Sequence, residues 1–178
     1  MIKVYVVNGE PRSGKDTFID FMMLILNDAG VPVSQFSSID PVRGMLNDLD
    51  TVDISGKSPE DRKLLSVVGE ALQEHSSFKT GMSFNHISAF SRSIPDEETG
   101  VFFLHMREPD LIERMKSGLL PDKSLTTIKV VSKRSESVKN NSSDAGVHDM
   151  VYDLIVENNG SRGALFDMAE HVCKQEGE

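Results

Sequence analysis

VVNGEPRSGKDTF, residues 6–18, decides how the chain is read. An apolar run from Ile2 to Val7 stops at Asn8-Gly9, and Gly14-Lys15 follows where Asp16, Thr17 and Phe18 open a helix. Gly9, Gly14 and Lys15 match the phosphate-cradling pattern Gly-x-x-x-x-Gly-Lys-[Ser/Thr], with Asp16 in the last position. A bare match arises often by chance. One set directly between an apolar strand and an apolar helix rarely does, and it predicts a bound phosphate.

Each fixed position has a physical reason. Gly9 and Gly14 permit backbone torsions and close approach that a side chain blocks. The loop, with Arg12 and Ser13 inside it, turns successive backbone N–H groups toward the phosphates, and the helix adds its first amides and the positive end of its dipole. Lys15 is the candidate catalytic cation, bridging the terminal phosphates as charge builds up. Arg12 faces either ligand or solvent. Asp16 has two readings: a ligand of Mg²⁺, directly or through water, or a residue that caps the helix or favours its dipole. Thr17 offers a hydroxyl one residue late.

The chain as a whole sets bounds. Its 178 residues suit one well-cored domain. The longest strictly apolar run, Phe21 to Leu26, falls far short of the ~20 residues of a membrane-spanning helix. No basic stretch precedes an apolar one at the start, so no signal peptide is expected. The single cysteine, Cys173, cannot form an internal disulfide and fits a reducing cytoplasm. A net charge of −9 argues against binding a nucleic acid polymer but not against one small phosphorylated ligand.

Periodicity predicts the order of elements. Lys3 to Val7 reads as a buried strand, Phe18 to Leu26 as a helix ended by Gly30, and Val31 to Ser37 as a second strand, together a βαβ unit. Residues 41–99 read as an insert of two or three helices around a polar stretch, with Phe78 to Thr99 not firmly placed. Val101 to Leu104 resumes the sheet, Asp110 to Lys116 is a helix with Asp110 as its N-cap, and Thr126 to Val131 is a β-branched fourth strand. Residues 132–149 form a polar loop, Tyr152 to Val156 is a fifth strand, and Arg162 to Lys174 is the last helix.

The run Gly-Glu-Pro-Arg-Ser-Gly-Lys-Asp-Thr-Phe resembles the phosphate loop of P-loop nucleoside and deoxynucleoside monophosphate kinases of the phage type, with the phosphomevalonate kinase branch similar. FSSIDPVRGM, residues 36–45, is similar to a second family stretch through Asp40, Pro41 and Arg43. DRKLLSVVGEALQEH, residues 61–75, is similar to a third through Arg62, Leu64, Leu65, Gly69 and Glu70. The resemblance implies a three-layer α/β fold with a five-stranded parallel sheet and helices on both faces. It also implies a helical acceptor-binding insert, a lid after strand four, and ATP with Mg²⁺ as cofactors. The core is then 1–40, 100–131 and 150–178, the insert 41–99 and the lid 132–149. Asp40, Arg43, Arg62 and Glu70 become substrate-binding candidates, with Asp16 and Asp40 on the metal.

Other residues follow from strand ends, where an open α/β sheet delivers side chains to its ligand. Arg107, just past the third strand, is a candidate for stabilising the transferred phosphoryl group; its bland alternative is a salt bridge with Glu108. No aspartate ends that strand, and Glu108 is the nearest carboxylate. Lys133 and Arg134 would close a lid over the phosphates and exclude water. Asp40 either contacts metal or acceptor, or caps the helix before Pro41. Arg43 and Arg62 are suited to an acceptor phosphate, since guanidinium binds it bidentately. The five histidines show no metal-ligand spacing and receive no role.

The function this predicts is ATP-dependent phosphoryl transfer to a small phosphorylated acceptor, a (deoxy)nucleoside monophosphate, by a monomer or homodimer. The alternatives are another small phosphorylated metabolite such as phosphomevalonate, and a degenerate ATP-binding module. A GTPase switch needs Asn-Lys-x-Asp near the fourth or fifth strand, and the chain has none.

Overall fold

The computed structural model describes residues 1–49, 52–54, 58–119, 123–133 and 150–175. In chain order the elements are β1 (Ile2–Asn8), α1 (Lys15–Asp28), β2 (Val33–Ser37), α2 (Asp40–Asn47), α3 (Pro59–Ser76), α4 (Phe78–Ser93), β3 (Gly100–His105), α5 (Pro109–Gly118), β4 (Lys123–Val131), β5 (Leu154–Glu157) and α6 (Arg162–Gln175).

The strands form one five-stranded sheet in the order β2-β3-β1-β4-β5, and every pairing is parallel. Parallel strands need crossovers, and the helices supply them on both faces. In β1 alternate residues serve opposite layers. Tyr5 and Val7 pack toward Phe18, Ile19, Met22 and Leu165 of α1 and α6. Ile2, Val4 and Val6 pack toward Ile87, Leu111, Ile112 and Met115 of α4 and α5. A strand buried on both faces reads as a near-continuous apolar run, and residues 2–7 are apolar but for Lys3. The insert carries a smaller core of Val42, Leu46, Ile54 and Leu65.

The chain leaves β1 toward β2 at one edge, and later crosses from β3 over β1 to β4. The carboxyl ends of β1 and β3 therefore flank the switch point where such sheets bind ligands. Among the described residues no helix is long and apolar enough to cross a membrane.

Several local expectations are corrected. The stretch 78–99 holds a full helix, α4, over Phe78–Ser93. Asp110 is not the N-cap of α5: Glu108 takes that position, Pro109 stands in the first turn, and no side chain caps the helix. Pro suits the opening turn because its missing N–H has no partner there anyway. Asp40 is not a cap either. Ile39 holds the N-cap position of α2 and Asp40 lies in its first turn, where its carboxylate meets Arg43 instead. The glycine after α1 behaves as expected: Gly30 follows the C-cap Ala29 with φ 73°, and its N–H donates to the Asn27 carbonyl at 2.9 Å.

Candidate active site

The loop from Gly9 to Lys15 joins β1 to α1 with little space to spare. A Cβ on Gly9 would lie 2.5 Å from both Ser13 Oγ and the Val130 carbonyl oxygen. Gly14 has φ 92°, and a Cβ there would lie 2.4 Å from Asn158 Nδ2. That amide, just past β5, donates to the Ser13 carbonyl at 2.8 Å and ties the loop to the far side of the sheet. Arg12 is exposed and adopts φ 64°, a left-handed turn within the loop. Ser13 is fully buried, and its Oγ has no hydrogen-bond partner among the described residues.

Helix α1 begins at Lys15 with Gly14 as N-cap, and no side chain caps it. The capping role considered for Asp16 is therefore not taken; its carboxylate lies 3.5 Å from Lys15 Nζ instead. An uncapped helix start has unsatisfied first-turn amides and the positive dipole end, which together favour an anion. The site fits phosphate on these grounds: an uncapped helix start, a tight glycine cradle, and a lysine whose side chain is 16% exposed beside an aspartate that is 77% exposed.

His105 ends β3 and gathers the other charges. Burial lowers its pKa first; Asp16 and Asp40 raise it, while Lys15 and Arg107 lower it, and the net is below its ordinary 6.5. Lys15 and Asp16 at the start of α1, Asp40 in α2 and Arg107 after β3 thus lie within electrostatic reach of one imidazole. Its Nε2 lies 3.1 Å from Gln35 Oε1, and since that oxygen only accepts, the ring donates there. Its backbone carbonyl accepts from Ser38 N at 3.1 Å and Ser38 Oγ at 3.2 Å, which fixes the turn from β2 toward α2.

The other candidates are placed as follows. Asp40 and Arg43 pair across one turn of α2 at 3.4 Å, both partly exposed. Arg62 is exposed in the first turns of α3, which Ser58 and Asp61 cap reciprocally. Glu70 is exposed on α3 and accepts from Ser66 Oγ at 2.9 Å. Arg134 lies outside the described residues, as does the loop 134–149. Glu108, the carboxylate nearest the end of β3, is engaged by neighbouring groups. It accepts from Lys79 Nζ at 2.5 Å, and its other oxygen accepts the Arg107 N–H at 3.2 Å. Burial raises its pKa, but the hydrogen bond and charge of Lys79 outweigh that and hold it below the ordinary value.

Among the described residues no three His, Cys, Asp or Glu side chains form a metal cluster. The oxygen donors in the first turn of α1, Asp16 and Thr17, suit a hard cation held mainly by phosphate oxygens. A separate cavity of about 360 Å³ lies on the β4–β5 side of the loop, lined among others by Glu10, Lys129, Ser132, Lys133, Glu157 and Asn159. Asn159 Oδ1 accepts from the Lys133 backbone N–H at 2.9 Å across its rim. Its volume is within the roughly 300–1,000 Å³ of small-ligand sites.

Sequence reasoning missed His105 and Lys79. The first sits at a strand's carboxyl end, a signal the sheet rule offers. The second has no local signal, because its partner is 29 residues away.

Solved structures share this architecture, among them the following two. The APS kinase CysC of Mycobacterium tuberculosis, in complex with AMPPNP and APS, superposes with a TM-score of 0.50 at 13% identity, covering 99% of this chain and 98% of that one. TT1252 from Thermus thermophilus superposes with a TM-score of 0.50 at 17% identity, covering 98% and 97%. The shared fold is an α/β arrangement with a five-stranded parallel sheet and helices on both faces. At such low identity the likeness is one of fold alone. No protein-family model and no curated protein sequence matches the chain.

Proposed function

We propose that this protein transfers the γ-phosphoryl group of ATP to a small phosphorylated acceptor of the (deoxy)nucleoside monophosphate class. The observation that carries the reading is the uncapped start of α1 at Lys15, set directly beside the tight glycine cradle of Gly9 and Gly14. The fold it shares with an APS kinase supports it.

In this reading the Gly9–Thr17 loop holds the phosphates and Lys15 bridges the terminal ones. The cavity beside Glu10 and Asn159 takes the nucleoside end of ATP. Asp16, with Thr17 and Asp40 nearby, holds Mg²⁺ on the phosphates. When bound, that ion neutralises charge developing on the transferred group. Arg107 approaches the transferred phosphoryl group from the β3 side, and Arg43 and Arg62 hold the acceptor phosphate. The helices α2 to α4 form the acceptor wall. Phosphoryl transfer is mostly positioning and charge neutralisation, and these residues supply both.

The test is Lys15→Ala. One charge-assisted contact is worth about 1.5–3 kcal/mol, so ATP affinity measured by calorimetry should fall roughly ten- to a hundredfold. Phosphoryl transfer should be abolished, with the melting temperature unchanged. Transfer near the parent rate would remove Lys15, and the site, from the account.

A further inference from the structure

The insert and the sheet meet in a buried ion pair that phosphate binding does not explain. Lys79 of α4 is 2% exposed, and its Nζ lies 2.5 Å from Glu108 Oε1. Lysine is almost never fully buried without a partner. This lysine also stands in the first turn of α4, where a cation opposes the helix dipole. Its path requires Gly69 of α3, since a Cβ there would lie 2.8 Å from Lys79 Cε. A buried pair with so many local costs adds little net stability over apolar packing. Its value lies in what it fixes.

What it fixes is the segment after β3. Glu108 holds the N-cap position of α5 but leaves the helix uncapped. Its carboxylate turns back, so that Oε2 accepts the Arg107 N–H at 3.2 Å while Oε1 takes Lys79. Lys79 is itself set in a stiff corner. Ser77, between α3 and α4, adopts φ 52°. Gln73 Oε1 accepts the Thr80 N–H at 3.2 Å, and Thr80 Oγ1 donates to the Ser77 carbonyl at 3.0 Å. Ser83 Oγ donates to the Lys79 carbonyl at 2.8 Å.

We propose that Lys79 is a positioning residue for phosphoryl transfer, fixing Arg107 at the end of β3 through Glu108 and so joining the acceptor-binding insert to the reaction centre. The proposal rests on the kinase reading for its catalytic meaning. A shift in the α3–α4 corner moves Lys79, then Glu108, then the backbone that carries Arg107. Acceptor binding against the insert is thereby coupled to the group that meets the transferred phosphate.

The experiment compares the parent with Lys79→Met, Lys79→Arg and the neutral pair Lys79→Met/Glu108→Gln. The neutral pair guards against misfolding, because it leaves no uncompensated buried charge. Amide exchange of Arg107, followed by NMR, is the direct readout. It should accelerate by about tenfold in Lys79→Met and in the neutral pair, with the β3 amides unchanged and partial rescue in Lys79→Arg. In turnover, the kcat/KM for the acceptor should fall by up to a hundredfold, with KM for ATP unchanged and no further loss when Arg107→Met is added. Unchanged Arg107 exchange in a folded variant overturns the proposal. So does an acceptor kcat/KM equal to the parent's. If the parent transfers no phosphate to any acceptor, the kinase reading falls separately, and Arg107 exchange still decides whether Lys79 positions that residue.

Discussion

Replacing Gly14 with alanine isolates what the phosphate loop demands of its backbone. At φ 92° an L-residue is strained, at a cost of roughly 1–2 kcal/mol. The new Cβ also lands 2.4 Å from Asn158 Nδ2. Asn158 must retreat and loses its 2.8 Å bond to the Ser13 carbonyl, adding about 1 kcal/mol. The total of about 2–3 kcal/mol corresponds to a fall in melting temperature of roughly 5–10 °C for a domain of this size. Two glycines serve as controls. Gly30 has φ 73° but open space around it, so Gly30→Ala carries the strain without the clash. Gly44, inside α2, has neither, and Gly44→Ala should be neutral or stabilise by up to about 1 kcal/mol. Thermal unfolding of the three variants, followed by circular dichroism and repeated with ATP, reads the terms apart. Gly14→Ala should melt below Gly30→Ala and lose the upward shift that ATP gives the parent. If it melts with Gly30→Ala and keeps the ATP shift, the loop geometry argued above is wrong.

Three further outcomes follow from the same structure. Phe18 is fully buried between α1 and the sheet, so Phe18→Ala should cost about 3–5 kcal/mol; denaturant titration checks this, and a loss below 1 kcal/mol would contradict it. Thr127 Oγ1 donates to Asp153 Oδ2 at 2.7 Å and accepts from the Asp153 N–H at 3.0 Å, bracing β4 against β5. Thr127→Val should therefore cost about 1–3 kcal/mol, whereas an unchanged melting curve would show the brace to be idle. His105 should titrate below 6.5 by NMR, because burial penalises its charged form more than Asp16 and Asp40 favour it. A folded-state pKa below the unfolded one makes its contribution complete above about 6.5 and lost as pH falls. A titration midpoint above 6.5 would reverse that sign.

The sheet was legible in the sequence because it is buried on both faces. Ile2 to Val7, apolar but for Lys3, and Val101 to Leu104 are near-continuous apolar runs, and Gly9, Gly14 and Lys15 stand at the turn that follows the first. Helix α4 was not legible for a physical reason. Its buried residues are Lys79, Thr80, Ser83 and Ile87, three of them polar, and Phe84 and Phe90, which also pack on the core, are only partly buried. Their partners are tertiary: Glu108 for Lys79 and Gln73 for Thr80. Glu108 misled for the same reason. From sequence it is a carboxylate beside Arg107, while in the fold a lysine from the insert has already claimed it. His105 was passed over because metal-ligand spacing was sought, whereas the groups that act on it come from β2, α1 and α2.

The central claim is acceptor-dependent phosphoryl transfer, and the direct measurement is ADP formation from Mg-ATP across a panel of (deoxy)nucleoside monophosphates and phosphomevalonate. The account predicts that one nucleoside monophosphate raises ADP formation well above the acceptor-free rate, and that Lys15→Ala removes the increase. ATP bound by the parent with no acceptor raising turnover would contradict it and leave a nucleotide-binding module without transfer.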